Sequence, residues 1–180
     1  MSSQDQEIPE LVSPFDPSTD LERVSGAGVE VVCRSVANET ERRICAQLRH
    51  AVFVVEQSIF DVSDQDVRDA DDATIHIIAD VGGVAGGTVR IYRLDDSGLW
   101  KGDRLAVAAP LRKMVIGKRL VQAAVQTAGE LGGYEMVATV QVSNIHFFEN
   151  LGWRRDGKPA VAYRLPHMQM RIGLCGGLDR

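Results

Sequence analysis

Cysteine is scarce in these 180 residues: Cys33, Cys45 and Cys175 are far apart, odd in number and without metal-ligand spacing. That excludes a disulfide scaffold and a thiolate metal centre, and it points to reduced thiols, two of them in the core. No apolar run approaches the ~20 residues that a membrane-spanning helix needs. The opening MSSQDQEIPE has neither the cationic start nor the apolar segment of a secretion signal. The expectation is a cytoplasmic protein without a membrane partner. The formal charge of −5 argues against a nucleic-acid partner, although a local basic pocket stays open. No cysteine–histidine–carboxylate pattern supports a hydrolase, and no metal site is expected.

What is present is globular: 44% of residues are hydrophobic and 25% charged. The length suits one domain with a full core. Residues 1–26, rich in Ser, Pro, Asp and Glu, read as a mobile leader. The domain would span residues 27–174, and residues 175–180 would form a loose end.

The β-branched run Val29 to Cys33 predicts a first strand. Asn38 with Glu41 three residues on predicts a helix N-terminus, the helix passing through Ile44, Leu48 and Ala51 into Val52-Phe53-Val54-Val55. Glu56-Gln57 then gives way to an acidic segment with Asp61, Asp64, Asp66, Asp69, Asp71 and Asp72. It lacks the glycine and closing glutamate of a calcium loop, so the expectation is a solvated loop, one that could border a pocket for a cationic substrate. Thr74 to Ala79 and Val84 to Leu94 read as strands joined by Gly82-Gly83, and Gly86-Gly87 signals a bulge or a close backbone approach.

Leu105 to Gly132 organises the rest. A short strand (LAVAA) breaks at Pro110, passes a basic loop and enters a long amphipathic helix near Val115, with Ile116, Leu120, Ala123, Ala124 and Ala128 at helical spacing. A strand feeding a helix through such a loop presents free backbone N–H groups to an anion, with Arg112, Lys113 and Lys118 around them. An ordinary strand-to-helix crossover with surface cations fits the same stretch. A buried strand Tyr134 to Val142, a short helix Ile145 to Asn150, and a last pair of strands (Trp153 to Tyr163, His167 to Leu174) follow. This order, without repeats, predicts an α/β (α+β) three-layer sandwich: a mixed, mostly antiparallel sheet of about six or seven strands flanked by helices.

Four stretches resemble the GNAT superfamily of N-acetyltransferases, in that family's order: Leu105 to Val121, the strand ending Val140-Gln141-Val142-Ser143-Asn144, the turn Phe147-Phe148-Glu149-Asn150-Leu151-Gly152-Trp153, and Arg49 to Gln57. The last also resembles a segment of acyl-homoserine-lactone synthases. The resemblance implies acetyl-CoA as co-substrate and a small-molecule or peptide amine as acceptor; a homodimer is left open. Its pyrophosphate would lie on the N–H groups of Lys113, Met114, Val115, Ile116, Gly117 and Lys118, beside Arg112. Its pantetheine would pair with Leu105, Ala106 and Val107, with Asn144, Phe147 and Phe148 on the far side. The N–H near Val107 would polarise the thioester carbonyl.

Two departures stand out. Val115 replaces the first glycine of the family's loop. Phe148 replaces a tyrosine whose hydroxyl could protonate the leaving thiolate. Base candidates are Glu56, His146 and Asp103, with His76 and His167 also weighed. The resemblance leaves two alternatives: an acyltransferase with another donor or acceptor, related to the lactone synthases, and a non-catalytic acyl-CoA-binding module.

Overall fold

A computed structural model describes residues 13–24 and 28–175. Eight strands form one sheet, the longer ones from runs rich in β-branched and aliphatic residues: β1 (Val31–Ser35), β2 (Ile75–Val81), β3 (Val84–Arg93), β4 (Leu99–Val107), β5 (Glu135–Gln141), β6 (Arg154–Arg155), β7 (Ala160–Ala162) and β8 (Leu165–Gly173). Their order is β1-β2-β3-β4-β5-β8-β6, with β7 on β8, and every pairing is antiparallel except β4 with β5. The helices are α1 (Leu21–Val24), α2 (Glu39–His50), α3 (Ile116–Glu130) and α4 (Ile145–Glu149). Eight strands exceed the six or seven anticipated because the stretch from Trp153 to Tyr163 is interrupted, leaving the short strands β6 and β7. β4 also begins at Leu99, well before the short strand expected from Leu105.

Alternation along β2 sends Ile77 to one face and Ile78 to the other. Ile116, Leu120, Ala124 and Ala128 of α3 join the larger core with Ile77, Ile91 and Met136. Ile44, Cys45 and Leu48 of α2 form a smaller core with Ile78 and Ala85. The result is three layers. At Gly87 α3 packs close on the sheet: a Cβ there would lie 2.9 Å from the Ala106 carbonyl and 3.0 Å from Leu120. A Cβ on Gly86 would lie 2.7 Å from Val81, and the β2–β3 register shifts at Ala79/Asp80. Both expectations for the glycine pair are met.

Part of the expected leader belongs to the core. Phe15 N–H donates to the Ala85 carbonyl at 2.8 Å, and Phe15 and Val24 are buried in the larger core. Two apolar side chains anchor a stretch whose polar composition reads as solvated. The remainder of that leader and the end after Cys175 lie outside the described residues.

One feature of the sheet creates the site. β4 and β5 pair from Leu99↔Glu135 to Gly102↔Ala138 and then separate, although β4 continues to Val107 and β5 to Gln141.

Candidate functional site

The separation opens a cleft of about 260 Å³ through the sheet. Its apolar part includes Val121 and Ala124 of α3, Met136 and Val140 of β5, Phe148 and Trp153. Its polar part includes Tyr92, Lys101, Asp103, Thr139, Gln141 and His167. Between Arg90↔Asp103 and Thr88↔Ala106 the register gains one residue on β4, a bulge at which Arg104 takes φ +53°. Past the bulge, Ala108 N–H donates to the Gly86 carbonyl, so by strand alternation the Val107 N–H and carbonyl face the cleft. The Val107 carbonyl accepts from Arg112 Nε at 3.1 Å.

The basic loop delivers the start of α3 to this edge. Val115 caps α3 without a side-chain hydrogen bond, and the first helical bond at this end runs from Arg119 N–H to the Val115 carbonyl. The N–H groups of Ile116, Gly117 and Lys118 therefore have no carbonyl partner within the helix. Met114 differs from expectation, because its N–H is taken by the Leu111 carbonyl at 3.0 Å in a tight turn. Val115 sits at φ −73° with its side chain turned to solvent, so glycine's freedom is not needed there and the branched chain leaves the donors open. A Cβ on Gly117 would meet only Phe147 at 3.6 Å and Val107 at 3.8 Å, in a gap between α3, β4 and α4. Lys113 and Lys118 are exposed and Asn144 lines the cleft, so the residues present fit a pyrophosphate-bearing co-substrate.

Opposite this side, α2 passes into a π-helical turn, Ala51–Glu56, closed by Gln57 N–H on the Val52 carbonyl at 2.9 Å. The acidic segment that follows is not a solvated loop. Arg49 and Arg90, each 1% exposed, pull it inward. Arg49 binds Asp64 and Asp69 at 2.7 and 2.6 Å. Arg90 binds Asp66, Asp69 and Asp103 at 2.8 Å each. Arg104 binds Asp66 and the Asp64 carbonyl and lies over the rings of Phe60 and Tyr163. Burial would raise Asp66 and Asp69, yet hydrogen bonds from these arginines hold both below the usual carboxylate range. This pairing is not legible locally, because each arginine lies 13 or more residues from its acid on another element. Asp66, the acid by which the segment lines the cleft, is therefore neutralised by Arg90 and Arg104 rather than free for a cationic ligand.

The same segment covers the cleft. Gln141 Nε2 reaches Gln57 at 3.1 Å, Phe60 packs on Tyr163 at 5.1 Å, and Arg164 binds Asp61 at 2.9 Å. Tyr163 and Arg164 form the β7–β8 turn at φ +50° and +64°, and Ser58 in the cover lies at +51°. With Arg104, positive φ at four non-glycine residues around one cleft is backbone strain gathered where ligands act.

The base candidates separate by position. Glu56 holds Arg112 through two bonds of 2.5 and 2.6 Å, which keep its carboxyl below the usual range. Asp103 lines the cleft, but both its oxygens are on Arg90 and Tyr92 adds a third contact at 3.4 Å. His146 is 89% exposed and pairs with Glu149, facing solvent rather than the cleft. His76 is buried behind the arginine network, where burial and the Arg49 charge push it down to about 4. His167 alone of these histidines lines the cleft. Its Nδ1 lies 2.8 Å from the Leu165 carbonyl, an acceptor, so Nδ1 carries a proton, and in the neutral ring Nε2 holds the lone pair. The sequence offered one signal for it, a histidine beside apolar residues on the last strand. Nothing local marked Tyr163 or Lys101.

Residues 43–153, more than half of the chain, match the model of the Acetyltransferase (GNAT) family. Among solved structures, Escherichia coli ElaA superimposes with a TM-score of 0.70 at 22% identity, over 79% of this chain and 98% of its own. An acyl-CoA N-acyltransferase from Pseudomonas aeruginosa gives 0.69 at 22%, over 80% and 99%. BjaI, a CoA-dependent acyl-homoserine lactone synthase solved with SAM and isopentyl-CoA, gives 0.66 at 19%, over 82% and 84%. At these identities the superpositions speak for the fold.

Proposed function

Because the chain belongs to the GNAT acetyltransferase family, we propose that it is an N-acetyltransferase, moving the acetyl group of acetyl-CoA to an amine by direct attack on the thioester. The observation that carries this reading is the meeting of two backbone edges, one without a helical partner and one without a strand partner. The first turn of α3 supplies anion-binding N–H groups from Val115 to Lys118, and β4 past its bulge supplies a strand edge at Leu105 and Val107. Together they suit a ligand with a pyrophosphate at one end and amide groups along its length. Asn144 and Phe148 form the facing wall.

The amine enters from the polar part of the cleft. His167 Nε2 takes the proton from the attacking nitrogen as the C–N bond forms. The Val107 N–H stabilises the carbonyl oxygen while the C–S bond breaks. Phe148 has no proton for the departing thiolate. Tyr163, which lines the cleft with no hydrogen bond to its hydroxyl among the described residues, supplies it. Glu56 and Arg112 hold the π-helical turn against the basic loop rather than moving protons.

The test is calorimetric titration with acetyl-CoA of the wild type and an Arg112→Glu, Gly117→Asp variant, followed by release of free thiol with an amine panel. Binding that the variant loses, with turnover of some amine, supports the reading; no binding by the wild type sinks it. A second reading, a longer acyl donor, draws on the apolar part of the cleft formed by Val121, Ala124, Met136, Val140 and Trp153. Thioesters of increasing chain length decide between the two.

A further inference from the structure

Among the described residues that line the cleft, charge pairing leaves one cation over. Lys101 stands opposite Tyr92 on β3 and Val137 on β5, one residue before β4 and β5 part. Its Nζ donates to Thr139 Oγ1 at 2.7 Å and forms no ion pair among the described residues. The acid nearest on its own strand, Asp103, has both oxygens on Arg90. The other acids bordering the cleft are held by Arg49, Arg90 and Arg104. An ammonium has three donors, and a protein partner accounts for one. Partial burial lowers the Lys101 pKa, so the charged form is short of solvation in the ligand-free cleft. An anionic group on the ligand would relieve this; a cationic one would aggravate it.

Position narrows the anion's source. Lys101 and Thr139 lie on the polar side of the sheet, away from the α3 N-terminus and its N–H groups. Thr139 is two residues, ~7 Å of strand, from Gln141, which is in register with His167. A ligand whose amine meets His167 therefore brings a nearby substituent to Lys101.

Resting on the acyltransferase reading above, we propose that the acceptor is an amino acid or another amine carrying a carboxylate, and that Lys101 with the Thr139 hydroxyl binds that carboxylate. The site then selects its substrate by pairing the remaining ammonium, while the arginine-bound acids keep the acceptor side from attracting polycations.

The experiment measures thiol release from saturating acetyl-CoA with each L-amino acid and with its matched amine lacking the carboxylate. The wild type should favour the carboxylate-bearing series by roughly tenfold to a hundredfold in kcat/KM, the range of one charge-assisted hydrogen bond. Lys101→Met should bring that ratio towards one, and Lys101→Arg should keep part of it. The proposal is overturned if matched amines serve the wild type equally well, or if no amino acid is turned over. It is equally overturned if Lys101→Met lowers both series with the ratio unchanged, which would make Lys101 a proton carrier. A Lys101-dependent preference for succinyl-CoA over acetyl-CoA would place the carboxylate on the donor and refute the acceptor assignment. Calorimetry with acetyl-CoA separates the two levels. Donor binding without carboxylate preference removes this inference alone, whereas no donor binding removes the acyltransferase reading and this inference with it.

Discussion

Phe148 packs edge-on against Phe147 and Trp153, with ring centroids 5.3 and 5.4 Å away, and helps close the apolar half of the cleft. Proton return to the thiolate must then come from elsewhere, and the strained turn at Tyr163 presents a phenol to the same space. Tyr163→Phe should lower kcat by up to ~10²-fold, the lower end of what a positioned acid contributes, with acetyl-CoA affinity retained. His167→Gln should lower kcat by ~10²-fold or more while the same titration still shows donor binding. Single-turnover rates check both, and wild-type rates in either variant would remove that residue from the mechanism. At Gly117 the expected result is a folded protein without donor binding. A Cβ there meets ordinary contacts, but the carboxylate of Gly117→Asp would stand where the co-substrate's pyrophosphate is cradled. Thermal unfolding near the wild-type midpoint, with acetyl-CoA affinity gone, is the outcome to look for.

At the scale of elements, the π-helical turn ending α2 and the covering segment from Gln57 to Asp69 act together. Arg90 reaches that segment from β3 and ties it to Asp103 on β4. Replacing Arg90 by Met would leave three carboxylates facing a partner that no longer carries charge, a loss of about 3–5 kcal/mol by analogy with other broken buried pairs. Chemical denaturation measures it directly. Arg104→Ala is gentler, since Arg49 and Arg90 still hold Asp64, Asp66 and Asp69. Hydrogen exchange should speed up in the cover, residues 57–66, and stay unchanged in β2 and β3. Sequence reading saw the helix, the acids and the arginines here but not their pairing, because the partners meet only once β3 and β4 are in register.

For the molecule as a whole, acid is the condition to which the fold is most exposed. Burial and the neighbouring Arg49 push His76 down to about 4, and its other charged neighbours are Asp69, Arg90 and Arg42. With the folded value below the ordinary 6.5, the unfolded chain binds the proton more tightly. This contribution is therefore complete above pH 6.5 and is lost as the pH falls towards 4, amounting to about 3 kcal/mol. Asp66 and Asp69, also lowered, add losses of the same sign at still lower pH. Unfolding free energies measured between pH 7 and 4.5 should fall accordingly, and His76→Gln should flatten that slope. A flat wild-type profile would show that His76 is better solvated than its burial implies.

The sequence by itself determined the elements and their layering. The Asn38 cap, the helical spacing from Ile116 to Ala128, the glycine pair at Gly86-Gly87 and the apolar β5 strand are local signals, and each is answered by local geometry or by a buried face. It also marked the basic loop, since a strand broken by proline before a long helix leaves N–H groups unpaired whatever surrounds it. Tertiary structure alone decided which polar side chains are free. Glu56 is tied to Arg112, the aspartates are tied to Arg49, Arg90 and Arg104, and His146 faces water, while Lys101 and His167 remain in the cleft. The reason is range: backbone preference acts over a few residues, whereas an ion pair is settled by whichever strands and helices the packed core brings within 4 Å.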